Sequence, residues 1–469
     1  MDRKNFLKIL IHQSGIDPAQ PVLAGISGGP DSICLLHLLH QCGIPTVAAH
    51  LDHALRSTSA AEADHVGRVC AEMGIPLIRK RIDAADYSER HHLAIEEGAR
   101  VLRYDFLFEE AKKAGAQAVL VAHHADDQVE TVLMHLMRGS GLSGLAGMRM
   151  VLLPNPWSER IPLVRPLLLI WREEIEKYCR IHQLQPVQDG SNLDTQYYRN
   201  RIRHELIPEL KTYNPLIKER LQKMSEVVGQ EEELLRALTD REWNNVLLES
   251  TDRYIVLRRN EVQTLTPGLT RRLIRKGILA LNHSLRDIEF DCVERGVDFI
   301  RNSNRSNQEV LCAGLVIFNC YRERLVIAFD DDSLDNLWPQ ISPGTEIWLP
   351  EMGETAINQK WVVHVGPTAE RLPGKDAYSC LVDISQLTDR LVVNTAREGD
   401  RFMPYGMKGK TMKLGDFWTN EGLPNRARKR WPLVRSGGEI IWIPGFRIAD
   451  SVKVNQKSQM VVRITLTKK

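Results

Sequence analysis

Three clusters of residues in the first half of the chain have types and spacings suited to chemistry. The first is Ser27-Gly28-Gly29-Pro30-Asp31-Ser32, preceded by the apolar Val22-Leu23-Ala24. Its glycines let backbone approach a ligand with no side chain in the way. Pro30 suits the first position of a helix. Free N–H groups at that helix start, with the hydroxyls of Ser27 and Ser32, make a site for phosphate oxygens. An ordinary strand-to-helix turn is the alternative, but the bracketing serines, Asp31 and the apolar lead-in favour phosphate. The second cluster is His123-His124-Ala125-Asp126-Asp127-Gln128-Val129-Glu130-Thr131. With a helix starting near Asp126, Asp127 and Glu130 fall on one face. They read either as a capping box, Asp127 the cap and Glu130 its partner, or as a negative pocket wanting a cationic substrate or a metal. His123 and His124 lack the companions of a zinc site and suit contacts to phosphate, nucleotide or base. The third cluster is arginine: Arg100 and Arg103 on one stretch, then Arg199, Arg201 and Arg203 in alternation. Each alone is a solvated surface residue, but several flanking a nucleotide site suggest phosphate contacts, which suit the guanidinium fork.

These residues need a frame, and the alternation of the chain supplies one. After Val22–Ala24, buried strands are expected at 46–51, 76–80 and 118–122, with helices over 61–73 and 96–114. This pattern predicts an α/β domain with a doubly wound parallel sheet, whose ligands sit at the carboxyl ends of the strands. The serine-glycine loop follows the first strand, Asp52-His53-Ala54-Leu55-Arg56 the second, and the His123 cluster the fourth. One crevice could collect all three. Beyond about 211 the alternation stops. A charged helical connector is expected over 216–238, then a small α+β unit with a strand at 254–257, helices at 270–281 and 288–300, and strands at 309–318 and 324–329. The stretch 335–469 has short strands punctuated by Gly and Pro, such as 361–365 and 439–443. Expected domains are therefore 1–212, 213–332 and 333–469, with Asp330-Asp331-Asp332 a solvated boundary loop instead of a metal site.

The chain of 469 residues is long enough for two or three domains, and 43% hydrophobic residues is ordinary for globular protein. No run of eighteen apolar residues occurs, and Met1-Asp2-Arg3-Lys4 leads into a short amphipathic helix, so no membrane span is expected and a cytoplasmic location fits. Eight scattered cysteines without a C-x-x-C pair indicate neither a disulfide framework nor a zinc knuckle. Net charge is only +2, so any nucleic-acid surface must come from local clustering. Residues 397–435 hold ten Lys or Arg against four acids, densest at Arg426-Ala427-Arg428-Lys429-Arg430-Trp431. Such a run is either a solvated face or a surface for a polyanion such as RNA.

The loop at 27–32 resembles the signature of pyrophosphate-loop ATP pyrophosphatases, which split ATP between its α and β phosphates. The order of the further motifs resembles one branch, the tRNA(Ile)-lysidine synthetase family. Those motifs are His50-Leu51-Asp52-His53-Ala54-Leu55-Arg56, Gly98-Ala99-Arg100, Arg103-Tyr104, the His123 cluster, Arg138-Gly139-Ser140-Gly141 and Asp189 to His204. Near the carboxyl end, Gly399-Asp400-Arg401-Phe402-Met403-Pro404, Lys413-Leu414-Gly415-Asp416-Phe417 and Ile443 to Asp450 are also similar to that family. One departure is Asp52, where the family more often has asparagine.

The resemblance implies ligation of free L-lysine to C2 of the wobble cytidine in tRNA(Ile) with a CAU anticodon. An adenylated cytidine would be the intermediate, with AMP and pyrophosphate released. It implies ATP held by Ser27, Gly28, Gly29, Pro30, Asp31 and Ser32, with Mg²⁺ bridging the phosphates and Asp31 near the metal. Asp127 and Glu130 would hold lysine, and Arg103 and Arg201 the activated phosphate or AMP. His53, Arg56, Arg100, His123, His124, Arg199 and Arg203 would contact substrate, while Arg426, Arg428, Lys429 and Arg430 would grip the tRNA. A related enzyme that thiolates C2 would typically bring paired cysteines, whereas Cys34 stands alone near the loop. An ammonia-using synthetase would typically bring a glutaminase domain or a different acceptor site. A protein that only binds tRNA would leave the Ser27–Ser32 loop unexplained. A homodimer stays open.

Overall fold

The computed structural model describes residues 2–469 apart from 56–58, 188–197, 283–287, 304–307, 322, 332–333, 335–336, 373–375, 408 and 457. The chain forms two compact units, Met1–Arg236 and Ala237–Lys469.

The first unit is built on six strands: β1 (Val22–Gly25), β2 (Thr46–Asp52), β3 (Leu77–Arg81), β4 (Val119–Leu120), β5 (Val151–Leu152) and β6 (Leu163–Val164), in the order β3-β2-β1-β4-β6-β5. All neighbours are parallel except β5, which runs antiparallel on the edge. Side chains alternate across the sheet. Val22, Ala24, Ala48, Leu120 and Val164 enter one core, and Leu23, Ala49, Val119 and Leu163 the opposite one. That is the pattern of strands buried on both faces. The helices between them are α1 (Pro30–Cys42), α2 (Ser59–Glu72), α3 (Ile95–Lys113), α4 (Ala125–Met137) and α5 (Arg172–Ile181). Helices α1, α2 and α5 cover the first face, and α3 supplies Tyr104, Leu107 and Phe108 to the second. The strands run outward from β1 on one side and from β4 on the other. The carboxyl ends of β1 and β4 therefore flank the point where strand order reverses, the ligand crevice of such sheets. Strands β5 and β6 escaped the sequence reading. Each is two residues long in a stretch interrupted by Pro154, Pro156, Pro162 and Pro166, too short to show a period.

Helix α6 (Ile217–Val246) carries the chain onward. In the second unit, β7 (Leu247–Ser250), β8 (Tyr254–Arg258), β9 (Glu309–Cys312), β10 (Leu315–Cys320) and β11 (Arg324–Phe329) form an antiparallel sheet in the order β7-β8-β11-β10-β9, backed by α7 (Pro267–Asn282) and α8 (Phe290–Asn302). The single strand expected at 309–318 is a hairpin, because Ala313 and Gly314 both take positive φ, 54° and 74°, between β9 and β10. Two further four-stranded antiparallel sheets follow, one around Leu391–Asn394 and Leu433–Ser436, the other around Trp361–Pro367 and Val461–Lys468. The expected division at 332/333 runs between elements that share a core. Val316, Phe318 and Cys320 of β10 pack in one cluster with Trp338, Phe402, Trp431 and Trp442, while Leu315 and Ile317 pack against α7 and α8. The cysteine spacing predicted no disulfide, yet Cys292 on α8 and Cys312 at the end of β9 are joined, their Cα atoms 5.2 Å apart. Among the described residues, no helix is long and apolar enough to cross a membrane.

Candidate active site

Strand β1 ends at Gly25 and α1 starts at Pro30, so the chain must turn at the carboxyl edge of the sheet. Gly28 takes φ +91°, and a Cβ there would lie 3.1 Å from Val66 Cγ2. Both facts call for glycine. Buried Ser32 straps the turn. Its Oγ accepts from the N–H of Ser27 at 3.2 Å and of Gly28 at 3.1 Å and from Ser27 Oγ at 3.2 Å, and donates to the Gly29 carbonyl at 3.0 Å. The Ser32 hydroxyl thus shapes the loop, leaving the first-turn N–H groups of α1 as the donors open to an anion. His50, buried in β2, adds a second strap by donating from Nδ1 to the Ile26 carbonyl at 2.7 Å.

Asp31 stands just inside α1 and faces the start of α4. Its Oδ2 lies 3.7 Å from His124 Nε2, and its Oδ1 is buried without a partner. Burial raises its pKa above the usual carboxylate range; His124 opposes this and Asp127 reinforces it. A buried carboxylate oxygen with no donor fits a cation. Mg²⁺ commonly takes one or two carboxylates and completes its shell with water and substrate phosphates. Among the described residues, no group of three or more His, Cys, Asp or Glu is placed to hold a metal ion.

Helix α4 begins one residue earlier than its acids suggest. His124 is the N-cap: its Nδ1 accepts from the Asp127 N–H at 3.3 Å, and Asp127 Oδ2 accepts from the His124 N–H at 3.0 Å. The expected box, Asp127 as cap with Glu130 as partner, is corrected accordingly. Glu130 is fully buried. Its Oε1 accepts from Arg203 Nε at 2.6 Å, and its Oε2 from Arg199 Nε at 2.7 Å and Arg203 Nη2 at 3.1 Å. Asp127 Oδ1 lies 3.5 Å from Arg199 and 3.8 Å from Arg203. Burial opposes the Asp127 charge, but His124, Arg199 and the hydrogen bond from the His124 N–H outweigh it and hold the carboxyl below its usual range. Asp126 is paired with Lys218 and accepts the Arg172 N–H at 2.9 Å. The expected open negative pocket is therefore a clasp, in which arginines from the helical segment 198–213 already meet the acids. Arg201 is not part of it; it pairs with Glu205 at 3.2 Å on its own segment, both side chains more than half exposed.

The opposite wall is cationic. At the end of β2, Asp52 Oδ1 accepts the Ala54 N–H at 2.8 Å and turns the chain there, Ala54 taking φ +56°. The neighbouring His53 is pushed down to about 4, first by burial and then by Arg103, and its Nδ1 is buried without a partner. Arg100 and Arg103 project from α3, exposed and without a carboxylate partner among the described residues, Arg100 lying 5.0 Å above the Tyr104 ring. His123, beyond β4, is pushed down to about 3, mainly by burial, and its Nδ1 accepts from Arg165 Nε at 3.2 Å. Arg165 follows β6 and is 4% exposed, with Nη1 donating to the Arg149 carbonyl at 2.7 Å. The sequence reading missed it along with β6. Arg56 and the Asp189–Asn192 motif lie outside the described residues. A strapped loop with open N–H groups, a partnerless carboxylate oxygen, free arginines and two neutral histidines together suit a nucleotide or other phosphate-rich ligand.

In the second unit the basic run divides. Arg426 pairs with Glu309 at 2.9 Å and Asp330 at 3.3 Å and lies 5.1 Å from the Phe318 ring. Arg428 donates to the Leu423 carbonyl at 2.9 Å. Lys429 is exposed and Arg430 partly buried. Trp431, fully buried, donates to the Pro444 carbonyl at 3.0 Å.

Residues 2–210 match the PP-loop domain family, and 391–465 match the TilS substrate C-terminal domain family. The chain is 33% identical to a tRNA(Ile)-lysidine synthase from Dehalococcoides mccartyi, covering 97% of each protein. It is 33% identical to the synthase of that name from Geobacillus kaustophilus, covering 91% of this chain and 90% of the other. The one from Clostridium tetani is 29% identical, covering 96% of this chain and 95% of that protein. Among solved structures, a U34-tRNA thiolase from Methanococcus maripaludis aligns over 49% of this chain and 78% of its own, with a TM-score of 0.41 and 17% identity.

Proposed function

The chain belongs to the tRNA(Ile)-lysidine synthase family, and on that basis we propose that it makes lysidine from ATP, free L-lysine and tRNA(Ile). The acceptor is C2 of the wobble cytidine in a CAU anticodon. The C2 oxygen of cytosine leaves poorly, so it is activated first. That oxygen attacks the α-phosphorus of ATP and pyrophosphate departs. The lysine Nζ, once it has lost its ammonium proton, attacks C2, AMP departs with the oxygen, and the attacking nitrogen gives up a second proton. This chemistry belongs with ATP, lysine and tRNA in the cytoplasm.

The observation that carries the proposal is the Ser32-strapped loop with Gly28 at positive φ beside the partnerless Asp31 Oδ1. The loop and the α1 N–H groups hold the leaving pyrophosphate. Asp31 would hold Mg²⁺, which when bound supplies positive charge to the phosphates. Arg100 and Arg103 meet phosphate charge from the other wall. Free lysine has a reference side-chain pKa of about 10.4 and arrives as an ammonium, so it needs an ionised carboxylate. Asp127, held ionised by its neighbours, is that group. Glu130 supports it from beneath through the two arginines they share. A cavity of about 500 Å³ lined by Asp126, Glu130, Arg172, Arg203, Lys211 and Lys218 carries both signs of charge, which suits a zwitterionic amino acid.

The test is to incubate the protein with ATP, labelled lysine and unmodified tRNA(Ile). Label should enter the wobble cytidine only with ATP, one AMP forming per lysine joined. Transfer of sulfur or ammonia to that cytidine, with lysine left free, would overturn the proposal.

A further inference from the structure

Arg165 and His123 lie at the carboxyl ends of two adjacent parallel strands, β6 and β4, on the edge of the crevice. Arg165 Nε approaches His123 Nδ1 at 3.2 Å. Arginine carries only donors. The facing imidazole nitrogen must therefore be an acceptor, which requires neutral His123 with its proton on Nε2. Protonating Nδ1 would set two N–H groups against each other. Arg165 is itself held, because Nη1 donates to the Arg149 carbonyl at 2.7 Å and the side chain is almost fully buried. His123 is partly exposed, and because Arg165 takes its Nδ1, Nε2 is the ring nitrogen left for the crevice. Burial, together with Arg165, Arg199 and Arg100 against Asp127, keeps the ring neutral.

We propose that Arg165 is a positioning residue that locks His123 in the Nε2–H tautomer, so that the crevice is offered a neutral, fixed hydrogen-bond donor. This rests on the lysidine proposal for what the donor meets: a non-bridging oxygen of the phosphoryl group passing from ATP to cytosine. The cytosine oxygen is the wrong acceptor, since donation to it would occupy the lone pair that must attack. A donor aimed where charge develops lowers the barrier without any proton transfer.

The tautomer is read first, on the full wild-type chain without substrates, by nitrogen-15 NMR of labelled histidines. The His123 signals are those lost in His123→Gln. A pyrrole-type Nε2 with a pyridine-type Nδ1 is expected, and the reverse or an average overturns the lock. That measurement needs neither lysine nor tRNA, so it stands whatever becomes of the lysidine proposal; should His123→Gln not fold, His123→Asn makes the assignment instead. Kinetics follow. Arg165→Met should average the tautomer and lower kcat for AMP formation about tenfold while KM for ATP stays within about twofold. Arg165→Lys keeps an N–H donor and should recover most of the rate. Wild-type kcat in Arg165→Met, or a loss that lysine does not restore while the tautomer is unchanged, overturns the assignment.

Discussion

Glu130 and Asp127 share a helix face but have different neighbours, and substitution should separate them. Glu130→Gln leaves two guanidiniums without their carboxylate. It should destabilise the protein by about 3 kcal/mol, the low end for breaking a buried pair because the arginines keep partial access to water. Asp127→Asn should instead raise the KM for lysine about tenfold with little change in Tm, since one charge-assisted contact is lost. Thermal melts and steady-state kinetics on both variants check this; an unchanged Tm in Glu130→Gln would dismiss the clasp. Asp31→Ala should lower AMP formation at least about a hundredfold in a protein that still folds and binds tRNA. Normal AMP formation by that variant would remove the loop from the ATP site. The histidines give a pH signature. His53 and His123 bind protons less readily folded, at about 4 and about 3, than at the ordinary 6.5. Below pH 6.5 the unfolded chain takes up protons that the native one refuses, so stability falls as pH drops from about 6.5 through 4 toward 3. Tm measured against pH should show that slope, shallower in the double His53→Gln/His123→Gln variant.

Among the elements, those with a long period were legible. The strands β1 and β2 and the helices α2 and α3 begin and end within a few residues of where the apolar pattern places them, and the Ser27–Ser32 loop sits where the first strand meets the first helix. Legibility failed where the signal was short or shared. Two-residue β5 and β6 have no period, so Arg165 could not be assigned to the crevice. The acids of α4 were visible, but their arginines lie some 70 residues on, and spacing along the chain says nothing of such a meeting. The basic run shows the same limit. Counting charges cannot reveal that Arg426 faces Glu309 and Asp330 on the five-stranded sheet. Arg426→Ala should therefore lower the Tm of the second unit and leave the salt dependence of tRNA binding nearly unchanged. Lys429→Ala should lower the salt slope by about 0.7 to 0.9 if it touches one phosphate. Salt titrations of the two variants, run side by side, distinguish a structural cation from an RNA contact.

For the whole molecule, the feature with the widest consequence is β10. All six of its residues are buried, and they alternate between two cores, so the strand serves as a party wall between them. Neither side can melt and leave the other roofed. Calorimetry of the full chain should accordingly show residues 237–469 absorbing heat in a single cooperative peak, with no separate step for the β-rich tail. A chain ended near residue 332 would bare Val316, Phe318 and Cys320 to water and should precipitate when expressed. Any exchange of the carboxyl-terminal sheets between relatives must then be made with the five-stranded sheet attached, because the two close over one buried core and neither roofs it alone.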